Sequence, residues 1–123
     1  MSQAKFQRMT VDQLVTRFAD IALDQDKADL KGDYAKFNRL YDEMDAVEKE
    51  LKARVGDQRS ALLPLFNHPN AQVRLKSAIA TLALAPQEAR RTLQILSDRQ
   101  EYPQAADARG MIRAIDEGTF VPD

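Results

Sequence analysis

One segment of the sequence, Asn70 to Ala85, is apolar in nearly every direction around a helix, and it restricts the fold more than any other feature. A helix that is apolar nearly all round is stable where other elements cover it on several sides. The sequence therefore predicts a helix in the middle of a helical bundle. Its polar residues leave one narrow stripe, formed by Arg74, Ser77 and Thr81, with Lys76 off that stripe.

Apolar residues recur at intervals of three and four along most of the remaining chain, which places them on one face of a helix. Thr10 and Gln13 have capping-box spacing and predict a first helix over about residues 10–29. N-cap residues, helix-starting prolines and glycine stops delimit the later helices. The second helix is predicted over about residues 33–56, and the third begins at about residue 57 and has an irregular last turn at Pro64. The fourth is predicted over about residues 70–85, and the fifth begins at Pro86. The sixth runs from Pro103 to Gly118, after which Phe120 is expected to fold back onto it.

The composition supports helices as the regular structure of the chain. It contains 18 Ala and 13 Leu against a total of 16 Val, Ile and Thr residues. β-Branched side chains lose rotamer freedom in a helix, so their low number favours helices over strands. The length of 123 residues suits one domain. We therefore predict an all-α fold of about six helices in antiparallel pairs, within a single domain over residues 1–123.

The segment from Leu62 to Arg74, which reads LLPLFNHPNAQVR, resembles a HEAT-type repeat. In that repeat a first helix often contains a proline, a tight turn with Asn and Pro follows, and Val-Arg begins a second, Ala-rich helix. Ser77 and Thr81 depart from the pattern, since they hold places usually given to Ala and Leu. The resemblance implies a HEAT-like unit at about residues 57–85 and a short α-α superhelix, in which helix pairs bury their apolar faces against neighbours.

A longer string, Leu62 to Ala89, and the ending Ala114 to Phe120 are similar to a family of small bacterial domains of unknown function. Some related small helical proteins accompany secreted or contact-delivered toxins and act as immunity proteins. The resemblance therefore implies a non-catalytic protein-binding module, of which a toxin-immunity protein is one form. Its expected partner is another protein.

Few residues of the sequence suit catalysis or metal binding. The chain has no Cys, and its one His, His68, lies in a turn beside Pro69, where a capping role is the simpler interpretation. The sequence has no glycine-rich phosphate loop, no Gly-x-Ser-x-Gly motif and no His-Glu-x-x-His metal spacing. We therefore expect no enzyme activity, no cofactor and no metal site. A small-ligand binder or a carboxylate-based enzyme remains as a third alternative.

Four basic residues between positions 74 and 91 form the first candidate protein-binding surface, and Glu88 is the one acidic residue among them. Successive helices can align such positions into one strip that suits an acidic protein surface. Nucleic acid is not expected, because 18 Lys and Arg against 19 Asp and Glu give a net charge of −1. The HEAT resemblance also implies a structural role for the arginine of the Val-Arg pair. The candidate residues are Arg74, Lys76, Arg90 and Arg91.

Aspartates near the end of the first predicted helix form the second candidate protein-binding surface, at Asp24, Asp26 and Asp29. Their spacing is not that of a calcium-binding EF-hand loop, because the sixth position counted from Asp24 is Asp29 instead of Gly. Carboxylates at the C-terminal end of a helix interact unfavourably with the helix dipole. The energetic cost is small, so a role in binding a partner is compatible with it. A solvated helix end is the alternative interpretation.

The second predicted helix has an apolar seam, and Tyr34, Phe37, Tyr41 and Met44 lie along it or beside it. The seam is shorter than the three or four heptads that indicate a coiled coil, so packing within the chain is one use. A homodimer contact is the other, because tyrosines supply a large contact area with a polar tip. The alternative function is therefore a structural homo-oligomer formed through this helix.

No part of the sequence predicts a membrane span or an export signal. The first ten residues alternate polar and basic side chains without an apolar core. The longest nearly apolar stretch, Ala78 to Ala85, is far shorter than the roughly 18 residues that a membrane span requires. We therefore expect no membrane partner and a cytoplasmic location.

Overall fold

A computed structural model of the chain describes residues 2–123, and all regular structure among them is helical. This confirms the predicted all-α class. None of the helices within this range has both the length and the apolar character that crossing a membrane demands. The elements are α1 (Ser2–Gln7), α2 (Val11–Lys31), α3 (Tyr34–Ala53), a 3-10 helix (Gln58–Asn67), α4 (Ala71–Ala80), α5 (Pro86–Asp98) and α6 (Gln104–Glu117).

The helices form two compact units, one that ends at Ala61 and one from Leu62 to Asp123. The single domain over residues 1–123 and the HEAT-like unit at about 57–85 stay predictions. Within the first unit, α3 packs against both α1 and α2. Gly32 ends α2 in the left-handed conformation, with φ of 70°, and Asp33 caps α3 by accepting a hydrogen bond from the Lys36 N–H. The α2–α3 hairpin is therefore the one that the sequence predicts.

The helix α1 is the element that sequence reasoning missed, so that the predicted six helices become seven within residues 2–123. The Phe6 side chain is fully buried, and the Arg54 guanidinium donates to the Phe6 carbonyl at 3.1 Å and to the Met9 carbonyl at 2.7 Å. One aromatic residue among polar ones produces no periodicity. Contacts with distant residues stabilise this short helix, since its local pattern does not.

In the second unit α4, α5 and α6 share one apolar core. Its buried members are Leu75, Ala78, Leu82, Ala89, Leu93, Leu96 and Ala108. The helix α4 contacts both of the others, as its apolar circumference predicts. The Phe120 ring also packs against this core, and the Phe120 N–H donates to the Ala114 carbonyl at 3.1 Å. The predicted fold-back after Gly118 is therefore confirmed.

The structure adds one feature to the sequence prediction for α4 and corrects its end. The Ser77 and Thr81 side chains of the polar stripe are buried. Their hydroxyl groups donate to the carbonyls of Arg74 and Ser77, at 3.1 and 2.9 Å, so burial leaves no hydroxyl without a partner. The helix also ends at Ala80 and not near residue 85. The N–H groups of Thr81, Leu82 and Leu84 donate to carbonyls three residues before them, as in tight turns, instead of four.

Replacing Leu93 by Ala is expected to destabilise the protein strongly. The Leu93 side chain is 0% exposed and lies in the core of the second unit. Truncation removes buried methyl groups and leaves a cavity, so we expect the free energy of unfolding to fall by about 2–5 kcal/mol. Urea unfolding followed by circular dichroism measures this change.

The matched control for that substitution is Ile95→Ala. Ile95 lies on the same helix but is 39% exposed, so its truncation removes less buried surface. We expect a loss below about 1.5 kcal/mol. Equal losses for the two substitutions would contradict the assignment of Leu93 to the buried face of α5.

Candidate functional site

The second unit contains a groove of about 600 Å³ that runs along one side of α5. We call it the α5 groove. The residues that line it on α5 are Glu88, Arg91, Thr92 and Ile95, and Arg99 follows as the C-cap of that helix. The remaining lining comes from Leu63 and Phe66 of the 3-10 helix, from Asn67, His68 and Pro69 of the following turn, and from Arg74 of α4.

The α5 wall of the groove is a face beside the one that packs on the core. Ala89, Leu93 and Leu96 are buried, as the sequence predicts. The groove residues follow at helical spacings of three and four on the adjoining side. Because the buried face fixes the rotation of the helix, the side chains of Arg91 and Ile95 are directed into the groove and not into the core.

The opposite wall depends on the turn that precedes α4. Asn70 caps α4, and its side-chain oxygen accepts from the backbone N–H groups of Gln72 and Val73 at 2.8 and 3.2 Å. His68 accepts a hydrogen bond from the Asn70 N–H through Nδ1 at 3.0 Å. The ring proton of a neutral His68 is therefore on Nε2. This confirms the capping type of role predicted for His68 and gives the wall a defined shape.

Arg74 joins this turn to the segment after α5. Its guanidinium donates to both carboxylate oxygens of Glu101, at 2.7 and 2.9 Å, and to the His68 carbonyl at 2.8 Å. The side chain is 13% exposed. The hydrogen bonds from Arg74 lower the pKa of the Glu101 carboxyl group, because they stabilise its charged form. Most donors of Arg74 are therefore engaged within the chain, which matches the structural alternative that the HEAT resemblance implies.

The charge available for a ligand comes chiefly from Arg91. Arg99 adds to it, although its charge also acts on the Glu101 carboxylate. The Arg91 guanidinium makes no hydrogen bond or ion pair with any of residues 2–123, and Arg99 is also exposed. Glu88 lines one end of the groove, and Leu63, Phe66 and Ile95 give it an apolar surface. A groove of this composition suits a ligand that is anionic and partly apolar.

The other residues of the predicted basic strip lie outside the groove. The Arg90 guanidinium points toward α6 and pairs with the Asp116 carboxylate at 2.7 Å. Lys76 is half-buried on α4 and is not among the lining residues. The structure thus brings Arg74 and Arg91 to one groove and separates both from Arg90. It adds Arg99, which sequence reasoning missed although Arg91, Ile95 and Arg99 follow one another at intervals of four.

The acidic candidates lie in the first unit. Asp24, Asp26 and Asp29 are half-buried in the C-terminal half of α2. Within residues 2–123, no three His, Asp or Glu side chains are grouped as a metal ion would require. The structure therefore adds no feature that distinguishes this surface from a solvated helix end.

The predicted dimer seam is divided between surface and interior. Tyr34 and Tyr41 are 68% and 56% exposed, and Phe37 is half-buried. Met44 is only 5% exposed and belongs to the core of the first unit. The surface that α3 offers to a second copy is therefore formed by the two tyrosines and part of Phe37.

Glu101→Gln is expected to reduce the free energy of unfolding near neutral pH by roughly 1 kcal/mol, since it removes a charged partner of Arg74. Because the pKa of Glu101 is lowered from its ordinary value of 4.5, the contribution of the carboxylate is complete above that pH. It is lost as the pH falls through the lowered pKa. The stability difference between the natural protein and the variant should therefore shrink on acidification, which urea unfolding at several pH values measures.

A suitable control for this pH dependence is Glu117→Gln, because Glu117 is exposed on α6. Its stability difference from the natural protein should be close to zero at every pH. A Glu101→Gln difference that does not change with pH would contradict the ion pair as its source.

Comparison with known proteins places the chain in a family. A family described as a domain of unknown function, DUF2019, matches residues 12–116. The crystal structure of the protein RPA1889 from Rhodopseudomonas palustris CGA009 is similar, with a TM-score of 0.93 and 46% sequence identity over 95% of this chain and 97% of that chain. A search of curated proteins finds no significant match. The family match and this identity confirm the predicted resemblance to bacterial domains of unknown function: the chain belongs to the DUF2019 family.

Proposed function

We propose that this protein is a non-catalytic protein-binding module that holds an acidic segment of a partner protein in the α5 groove. The observation that carries the proposal is the Arg91 guanidinium, which lines a groove of mixed polar and apolar surface and makes no hydrogen bond or ion pair with the side chains that the structure describes. Arginine is enriched at protein interfaces because its planar group binds carboxylates through two hydrogen bonds. An acidic side chain is therefore the natural ligand for Arg91.

The shape of the groove supports binding. The hydrogen bonds of Asn70 and Arg74 hold one wall, and the buried face of α5 holds the other. Walls that are ordered before binding lower the entropic cost of association. The apolar surface of Leu63, Phe66 and Ile95 adds affinity, whereas the arginines add specificity and a faster association rate.

The lining of the groove favours binding over catalysis. His68 uses Nδ1 to accept a backbone hydrogen bond, so this nitrogen does not face a substrate as a general base. Thr92 donates its hydroxyl hydrogen to the Glu88 carbonyl at 3.0 Å within α5. A module of this kind acts by covering a surface of its partner, and a toxin-immunity protein is one form of that action.

The arginine positions can be tested separately by capturing partner proteins. The tagged protein is incubated with a lysate of the organism that encodes it, and bound proteins are quantified by mass spectrometry. Arg91→Glu is expected to reduce capture of the partner by tenfold or more, on the order of the loss of one charged hydrogen-bonded pair. Arg90→Glu is expected to leave capture unchanged, because Arg90 faces α6.

The matched charge control for this experiment is the double variant Arg113→Glu/Arg39→Gln, which alters two exposed arginines outside the groove. It is compared with Arg91→Glu/Arg99→Gln, which changes the net charge by the same amount. Circular dichroism verifies that each variant is folded. If both double variants captured the same proteins in the same amounts, the α5 groove would not be the binding surface.

A structural homo-oligomer is the second candidate function, and the exposed aromatic surface of α3 supports it. Tyr34 and Tyr41 are seven residues apart on that helix, which places them on one side, and both are more than half exposed. Large apolar side chains exposed together are typical of interaction sites.

Small-angle scattering over a range of protein concentrations tests the homo-oligomer. A dimer formed through α3 is expected to show twice the monomer mass, and Tyr34→Asp/Tyr41→Asp is expected to restore the monomer mass. Asp introduces a charge that an apolar contact excludes. A natural protein that remains monomeric at high concentration would rule out this function.

A further inference from the structure

Three side chains of the α5 groove form a regular row. Arg91 and Ile95 on α5 and Arg99 at its C-cap follow one another at intervals of four residues, with the apolar residue between the two cations. The Arg99 N–H donates to the Ile95 carbonyl at 2.9 Å, so the helical course reaches Arg99. An α-helix rises 1.5 Å per residue, so neighbouring members of the row are about 6 Å apart and the two arginines about 12 Å apart. The groove therefore presents the order cation, apolar group, cation at a fixed spacing.

An extended peptide matches this spacing. Alternate side chains of a strand point to the same side, and residues i and i+2 are about 6.6 Å apart. Residues i and i+4 are therefore about 13 Å apart, close to the distance between the two arginines. A segment with acidic side chains at i and i+4 and an apolar side chain at i+2 would meet Arg91, Ile95 and Arg99 in register.

The size of the groove also favours an extended ligand. The α5 wall from Glu88 to Arg99 is about 16 Å long, as eleven residues of helix require. An extended segment of five residues spans about 13 Å from its first to its last Cα atom, so both of its acidic ends lie within this length.

The apolar position of the ligand has a defined surface to contact. Leu63 and Phe66 line the groove together with Ile95. Phe66 also packs against the core of the second unit, so its position is set before a ligand binds. An apolar side chain between the two acidic ones would bury itself here, so Leu or Ile at this position is expected to bind more tightly than Ala.

Building on the protein-binding function proposed above, we propose that the α5 groove recognises an extended acidic segment with the pattern acidic–x–apolar–x–acidic. Arg91 and Arg99 bind the two carboxylates, and the apolar side chain lies against Ile95, Leu63 and Phe66. Glu88 lies one turn before Arg91 and disfavours a further acidic residue at that end. The partner is therefore a protein with a short, unpaired acidic segment of this pattern.

The test compares two labelled peptides of the same composition by fluorescence anisotropy. One contains Glu-Ala-Leu-Ala-Glu between Gly-Ser flanks, and the other contains Ala-Glu-Glu-Leu-Ala between the same flanks. The first is expected to bind the full-length protein about tenfold more tightly, because only its spacing allows both carboxylates and the leucine to be bound at once. Raising the salt concentration should weaken its binding.

Substitutions in both molecules locate the two contacts. Arg91→Glu and Arg99→Gln are each expected to weaken binding of the first peptide by about tenfold, whereas Arg113→Glu leaves it unchanged. Replacing one Glu of the peptide by Gln should remove the sensitivity to one of the two arginines and leave the sensitivity to the other. Such coupling identifies the paired groups, since distant groups contribute additively.

The outcomes separate this inference from the proposed function. Equal affinity for both peptides, with loss in the Arg91 and Arg99 variants, would overturn the pattern and leave the groove as a general acidic-segment site. Failure of both peptides to bind, while partner capture still depends on Arg91, would also overturn the pattern alone. Peptide binding that persists in Arg91→Glu/Arg99→Gln would overturn both the pattern and the groove as the binding surface.

Discussion

The hydrogen bonds of the Arg74 guanidinium set the geometry on which the candidate site depends. They join the carbonyl of His68, in the turn before α4, to the carboxylate of Glu101, in the segment after α5. His68 and Glu101 are about 33 residues apart along the chain, and His68 lines the groove. Because a two-point Arg–carboxylate contact fixes orientation as well as distance, one side chain positions the turn that forms a wall of the groove.

Two neighbouring arginines show how a helix distributes similar residues between structure and binding. Arg90 and Arg91 are consecutive in the sequence, but each residue of an α-helix is rotated by about 100° from the one before it. Arg90 therefore reaches Asp116 on α6, whereas Arg91 lines the groove. Of these two consecutive arginines, Arg90 therefore forms an ion pair within the chain, and Arg91 remains available for a ligand.

Buried polar groups explain several differences between the predicted and the observed structure. Ser77 and Thr81 satisfy their hydroxyl groups within α4, and the buried Gln104 side chain donates to Gln72 at 2.9 Å. Side chains that are polar in the sequence are therefore internal in the fold, because each has a hydrogen-bond partner. A pattern of polar and apolar letters does not contain those partners, so it does not show that the stripe of Ser77 and Thr81 lies inside the fold.

The sequence by itself determined the all-α class, the caps at Thr10, Asp33 and Gly118, and the inward faces of α3 and α5, because these depend on residues within one or two helical turns. Only the tertiary structure decided the presence of α1, the engagement of Arg74 by Glu101 and the place of Arg99 beside the groove. Each of these depends on residues brought together from distant parts of the chain. Periodicity defines which way a helix faces, whereas packing alone defines what it faces.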